Sequence, residues 1–246
     1  MSAGQETGRA GQATGRAGQA TSRKGVFLTL EGVDGSGKST KAGILARALA
    51  DAGHEALLLR EPGGTVVSER IREILLDPQS DAMCRECELL LYEAARAQLV
   101  REVIAPALAA GTNVVCDRFY DSTFAYQGGA RGMDEDLVAR ANALGSCGLV
   151  PTRTIVFDME PEVSYERATR HEADRLEAEG TDLQRRVRAA YLRLAEEEPD
   201  RVRVIDSSGS LEDVCVDFFD AVRDLFPRLG DPLPYVRTRV RRHPHG

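Results

Sequence analysis

The segment Gly32-Val33-Asp34-Gly35-Ser36-Gly37-Lys38-Ser39 has the spacing G-x-x-x-x-G-K-S. Three glycines in so short a stretch let the backbone turn its N–H groups inward around an anion. A helical pattern begins near Lys38, so the positive end of a helix joins those groups. The chemistry this suits is phosphate binding. The Lys38 ammonium would neutralise β- and γ-phosphate oxygens, and the Ser39 hydroxyl would ligate Mg²⁺. An apolar stretch precedes the loop, so context agrees with spacing and the segment reads as a nucleoside triphosphate site. GTPases, motor ATPases and small-molecule kinases all use such a loop. The chain has no Asn-Lys-x-Asp segment to read guanine and no second large domain, which favours a kinase with a small acceptor.

These residues need strand ends set beside helix starts. Short apolar segments alternate with amphipathic ones, the pattern of a parallel sheet covered by helices. Strands are expected at Val26–Leu30, Glu55–Leu59, Asn113–Cys116, Thr154–Phe157 and Val202–Ile205. Helices are expected at Ser39–Ala52, Val66–Leu76, Glu86–Ala110 with a bend at Pro106, Asp134–Leu144, Pro161–Arg170, Leu183–Glu198 and Leu211–Phe226. That makes one α/β domain over residues 25–230, a doubly wound five-stranded parallel sheet of the P-loop type flanked by helices.

The 246 residues carry a net charge of −7, unevenly spread. Residues 1–24 hold Arg9, Arg16, Arg23 and Lys24 against Glu6 alone, and residues 232–246 hold four Arg and no acid. An acidic body thus lies between two basic tails, and its field argues against a nucleic-acid partner. The first tail repeats every seven residues with Ala as its apolar residue, which excludes a coiled coil. We read residues 1–24 as a disordered low-complexity tail, either an unstructured extension or the product of an early start codon. Residues 231–246 are read as a solvated basic tail. No apolar run approaches the ~18 residues of a membrane helix, and the N-terminus lacks the apolar region of a secretory signal. Five Cys, an odd number, argue for a reducing compartment and hence the cytoplasm. Cys84-x-x-Cys87 has metal-like spacing but no second Cys or His pair beside it.

Four blocks then become specific. Glu31-Gly-Val-Asp-Gly-Ser-Gly-Lys-Ser-Thr40, Arg60-Glu-Pro-Gly-Gly-Thr65, Glu88-Leu-Leu-Leu-Tyr-Glu-Ala-Ala-Arg-Ala-Gln98 and Asp117-Arg-Phe-Tyr-Asp-Ser-Thr-Phe-Ala-Tyr-Gln-Gly128 resemble, in order and spacing, the motifs of the thymidylate kinases. The resemblance spans roughly residues 25–228. It implies transfer of the γ-phosphate of ATP to dTMP with Mg²⁺, giving dTDP for dTTP synthesis, by a homodimer.

It also implies a role for each matching residue. The loop from Gly32 to Ser39, with Thr40, holds the ATP phosphates. Arg118 takes the acceptor phosphate as a bidentate fork. Arg72 is a second candidate for that phosphate, a surface helix position being its alternative. Tyr92 and Arg96 lie four apart on one helical face. Tyr92, where Phe is frequent in the family, stacks on thymine, and Arg96 donates to a base carbonyl. Asp34 accepts from the 3′-hydroxyl. Ser122 and Thr123 line the base pocket with Gln127 nearby, and Tyr126 lies under the deoxyribose, leaving little room for a 2′-hydroxyl. Asp117 either helps Ser39 hold Mg²⁺ or pairs with Arg118.

Gly35 stands where some thymidylate kinases carry an Arg. The chain is therefore similar to the bacterial type, in which basic residues arrive from a mobile lid and closure also excludes water. Here that lid spans about residues 167–182 and offers Arg167, Arg170 and Arg175, with solvated helix charges as the alternative for the first two. The lid departs from the family pattern in its acidic content and in carrying Leu183 near the place of a frequent Phe.

Overall fold

A strand buried on both faces reads as a near-continuous apolar run, and Phe27–Glu31, apolar but for Thr29 and Glu31, is buried at every residue. In the computed structural model, which describes residues 24–168, 175 and 180–242, this strand, β1, is the centre of the sheet. The others are β2 (Ala56–Arg60), β3 (Asn113–Asp117), β4 (Arg153–Asp158) and β5 (Val202–Asp206). All pair in parallel in the order β2-β3-β1-β4-β5. The connecting helices are α1 (Lys38–Asp51), α2 (Val66–Leu76), α3 (Arg85–Leu99), α4 (Ala105–Ala109), α5 (Tyr120–Thr123), α6 (Glu135–Gly145), α7 (Pro161–Ala168), α8 (Thr181–Glu197), α9 (Leu211–Val222) and α10 (Leu233–Arg242).

Alternation along β1 divides the core. Leu28 and Leu30 join Val115, Ile155 and Phe157 under α1 and α9, where Ile44, Leu45, Phe218 and Phe219 pack. Phe27 lies on the other face with Val114 and Cys116, against Leu99 and Leu108 of the α3–α4 arm. Val156 meets Val187 and Tyr191 of α8 on that same face. The carboxyl ends of β1, β2 and β3 therefore open side by side, where parallel α/β sheets bind ligands.

Three local features differ from the pattern-based expectation. The bend expected at Pro106 is a widened turn, with π-helical bonding over Val100–Ile104 just ahead of it. A proline has no N–H and its ring presses on the carbonyl four residues back, so the turn relaxes to the longer bond. No helix was expected after Asp117, yet α5 forms and continues as a π-helical stretch, Phe124–Ala130. Gly128 and Gly129 obscured its periodicity. Gly129 also lets it approach α8, since a Cβ there would lie 2.4 Å from the Ala190 Cβ. Third, the segment read as a solvated C-terminal tail holds α10. Pro232, just ahead of it, and Val236, within it, are buried, and Val236 joins the core beside α1 and α9. The Tyr235 hydroxyl adds a 2.9 Å bond to Asp51. The readings for residues 1–23, for Arg170 and for most of the lid lie outside the described residues.

Val236→Ala is expected to lower stability by about 2 kcal/mol, the value of two buried methyl groups plus a small cavity. Urea unfolding would measure it. A loss below about 0.5 kcal/mol, the ordinary effect of a surface change, would show that α10 does not dock.

Candidate active site

The phosphate loop connects β1 to α1. Gly32 has φ 130°, and a Cβ there would lie 2.5 Å from the Phe157 carbonyl oxygen, so neither the conformation nor the space admits a side chain. Gly37 has φ 79° and caps α1 with no side-chain bond, leaving the first N–H groups of the helix for a ligand. Lys38 donates to the carbonyls of Gly32 and Val33 at 3.1 and 2.9 Å. Burial and then the neighbouring Arg118 push its pKa down to about 8. An entering anion reverses that pressure. At the open end of the loop the Ser39 hydroxyl donates to Asp117 at the end of β3.

Arg118 follows Asp117 with φ 70°, a left-handed conformation that costs a non-glycine residue roughly 1–2 kcal/mol. Its own N–H stays in the sheet, on the Leu30 carbonyl at 2.9 Å, while the turn sends the side chain back across the loop. There the guanidinium donates to Asp34, to the Gly32 carbonyl at 3.2 Å, to Ser122 at 3.1 Å and to the Tyr126 hydroxyl at 3.2 Å. The Tyr126 hydroxyl in turn donates to Asp34 at 2.8 Å. Burial alone would raise the Asp34 pKa, but Arg118 and Lys38 hold it at about 2. Asp117 has Ser39 as its partner, and the Arg118 side chain pairs with Asp34 instead.

Behind this pair sits Glu31, fully buried at the end of β1. Its carboxylate accepts from the Phe119 N–H at 2.7 Å, the Ser122 hydroxyl at 2.6 Å and the Tyr191 hydroxyl at 2.7 Å. Burial and then Asp121 nevertheless push its pKa up to about 7.

Two clefts open on these residues. One, of about 340 Å³, is lined by Gly35, Gly37, Lys38, Ser39, Thr40, Arg60, Asp117 and Arg167. The other, of about 100 Å³, is lined by Pro62, Leu76, Tyr92, Ser122, Thr123, Tyr126 and Gln127. Asp34, Glu61, Arg72 and Arg118 line both, so they form a common wall. Arg72 also donates to the Pro62 carbonyl at 3.0 Å.

Arg96 lies behind that wall, fully buried. It donates to Glu61 at 2.8 Å, to Glu93, to Asn142 at 3.3 Å and to Thr123 at 3.0 Å, which uses four of its five N–H groups. The structure thus puts Arg96 in contact with two residues of the second cleft, Glu61 and Thr123. Arg175 is held by Glu88 and by the Leu75 carbonyl at 2.9 Å, and Arg167 reaches the cleft of the phosphate loop.

Several residues of the site had no role assigned from sequence. Glu31, Glu61 and Glu88 stand inside the motif blocks, and an acid closing an apolar strand such as Leu28-Thr-Leu-Glu31 is itself a signal. Ser164 donates to the Asp34 carbonyl and Gln184 to its carboxylate at 3.3 Å, fastening α7 and α8 to the loop. Tyr191 falls at an apolar position of α8 and reads as core packing, a role it also fills.

A parallel sheet of this order, a phosphate loop after the central strand and a second cleft behind one wall define a P-loop kinase acting on a nucleoside monophosphate. Known proteins agree. The sequence profile described as "Thymidylate kinase" matches residues 30–217. The thymidylate kinase of Symbiobacterium thermophilum is 45% identical over 203 residues, covering 82% of this chain and 95% of the relative. That of Pseudomonas syringae pv. tomato is 49% identical over 190 residues, covering 77% and 90%. The crystal structure of thymidylate kinase from Ehrlichia chaffeensis superposes with a TM-score of 0.67 at 30% identity, covering 81% of this chain and 99% of that one. The chain belongs to the thymidylate kinase family.

A testable consequence concerns pH. Glu31 titrates near 7 when folded against 4.5 when unfolded, so between those values the folded state binds more protons. Stability is full below the lower value and falls as pH rises through the upper one, by up to roughly 1.4 kcal/mol per pH unit. Glu31→Gln should flatten that slope whatever its effect on absolute stability. Urea unfolding at pH 5 and pH 7 would decide, and an unchanged slope would contradict the assignment.

Proposed function

We infer that this chain transfers the γ-phosphate of ATP to dTMP, giving dTDP and ADP, in the supply of dTTP. Beyond family membership, the observation that carries the reading is the common wall of Asp34, Glu61, Arg72 and Arg118. Two anionic nucleotides, one in each cleft, would meet there phosphate to phosphate. Phosphoryl transfer passes through a loose, highly charged state, so positioning and cationic clamping supply most of the catalysis.

In this reading the loop N–H groups and Lys38 hold the ATP phosphates, and Arg118 and Arg72 hold the acceptor phosphate. Asp34, ionised and hydrogen-bonded to Tyr126, accepts from the deoxyribose 3′-hydroxyl. Tyr92 stacks on thymine, and Ser122, Thr123 and Gln127 line its edge with Arg96 behind them. Ser39 and Asp117 offer hard oxygen donors side by side, a set that fits Mg²⁺. Bound there, the ion would neutralise charge developing on the β- and γ-phosphate oxygens. Arg167 brings a lid cation to the phosphates, and we assign Arg175 to the lid as well, with Glu88 as its anchor.

We also propose a homodimer. Val66, Val67 and Ile74 of α2, Leu90 of α3 and Leu144 of α6 are exposed, on three helices packed in series. Apolar exposure on adjoining helices is what a second copy would cover. Among the described residues no helix is long and apolar enough to cross a membrane. The five free thiols support a cytoplasmic setting.

ADP release with ATP and Mg²⁺ should be rapid with dTMP and slow with CMP, AMP or thymidine. Turnover with none of them would overturn the assignment. Arg118→Ala should lower kcat/KM for dTMP by about 10²-fold or more while circular dichroism stays native. Leu144→Glu should shift the sedimentation coefficient to that of a monomer, and a monomeric parent protein would refute the dimer.

A further inference from the structure

Glu88 lies one turn before Tyr92 on α3, and it is 1% exposed. It lines neither cleft. Three side chains nonetheless converge on it. Gln127 donates from Nε2 to one oxygen at 2.8 Å. Arg131 donates to both oxygens, and Arg175 to the second. Burial would raise the pKa of this carboxyl, but the hydrogen bonds from Arg131, Gln127 and Arg175 hold it below the ordinary glutamate value. Glu88 is therefore a carboxylate, and a carboxylate only accepts.

This decides the orientation of Gln127. The end of its amide facing Glu88 must be the NH₂, because two acceptors cannot face each other at hydrogen-bond distance. The carbonyl end, Oε1, is left for the cleft that Gln127 lines with Tyr92 and Thr123. An amide oxygen is an acceptor and nothing else. Thymine presents a donor at N3, whereas cytosine presents a lone pair there and an amino group at position 4.

We propose that Glu88 is a specificity-determining residue: by holding the Gln127 NH₂ it fixes the carbonyl toward the acceptor base, so that the cleft takes an imide pyrimidine and rejects cytosine. The proposal rests on the reading of this cleft as the dTMP base site. Glu88 acts through Gln127 and is a positioning residue. Without the carboxylate the Gln127 amide can turn and offer either end, and the discrimination weakens.

The test compares dTMP with 5-methyl-dCMP, which differ only at ring positions 3 and 4. In Glu88→Gln the charge is lost and the shape kept, so the ratio of their kcat/KM values should fall about tenfold or more, chiefly through KM. Gln127→Met should lower the same ratio, and adding Glu88→Gln to it should lower it no further. Equal losses for both acceptors in Glu88→Gln, or an unchanged ratio, would overturn the role of Glu88. If Gln127→Met also leaves the ratio intact, the base-site reading itself fails, which separates the two ideas. A measurement on the unaltered protein guards against a variant that does not fold. The Gln127 NH₂ resonances, assigned by their absence in Gln127→Met, should show slowed hydrogen exchange with and without dTMP. Rapid exchange in the ligand-free protein would rule out a fixed amide.

Discussion

The site depends on keeping a guanidinium charged at the base of a cleft before any nucleotide enters. Arg118 meets that demand by geometry. Its N–H remains in the sheet, and its backbone turns left-handed at once, so the side chain folds back over the phosphate loop. Asp34 balances the charge from within the loop, and Gly32, Ser122 and Tyr126 fix the remaining donors. A half-buried ion pair of this kind is weak evidence for stability, since desolvation offsets much of its attraction. Its value is positional.

The polar layer beneath explains how the arrangement survives in a core. Glu31 turns a strand end into an acceptor for the Phe119 N–H, Ser122 and Tyr191, so the residues on either side of Arg118 are all pinned. Further along the same face Thr29, Thr154, Asp121 and Arg201 form a connected chain, with Arg201 bidentate on Asp121. Almost every buried charge there has a partner, as buried polar groups must. Helices α7 and α8 share in this order. Ser164 of α7 and Gln184 of α8 both end on Asp34, and Arg188 grips Asp158 at the end of β4.

Much of this was legible in the sequence. The continuous apolar runs of the central strands, the glycine spacing of the loop and the Asp117-Arg118 pair at a strand end carried the fold class and the site. Tyr92, Thr123, Tyr126 and Gln127, from two distant blocks, line one cleft. What stayed hidden has a physical reason in each case. Residues 120–123 make only one α-helical turn, and 124–130 continue it through π-bonding around two glycines, which no 3.6-residue period describes. In α10 the one buried side chain among the described residues, Val236, stands next to the exposed Arg237 and Thr238 and makes no period of its own. Glu31 and Tyr191 act through hydrogen bonds to partners roughly ninety and one hundred and sixty positions away, and local pattern carries no trace of such pairing.

The wall of Asp34, Glu61, Arg72 and Arg118 has a thermodynamic consequence. Because the same charges face both clefts, a nucleotide in one alters the potential felt in the other, and the two binding free energies cannot be additive. Linkage then requires the effect to be mutual: whatever factor ATP imposes on the affinity for the acceptor, the acceptor imposes on the affinity for ATP. The sign follows from which charges the first arrival neutralises. A phosphate that takes up Arg118 leaves Asp34 less compensated and repels a second anion, whereas one that arrives with its own cation does not. With one substrate in each cleft, as proposed, a single partition would carry their cooperativity with no change of shape required.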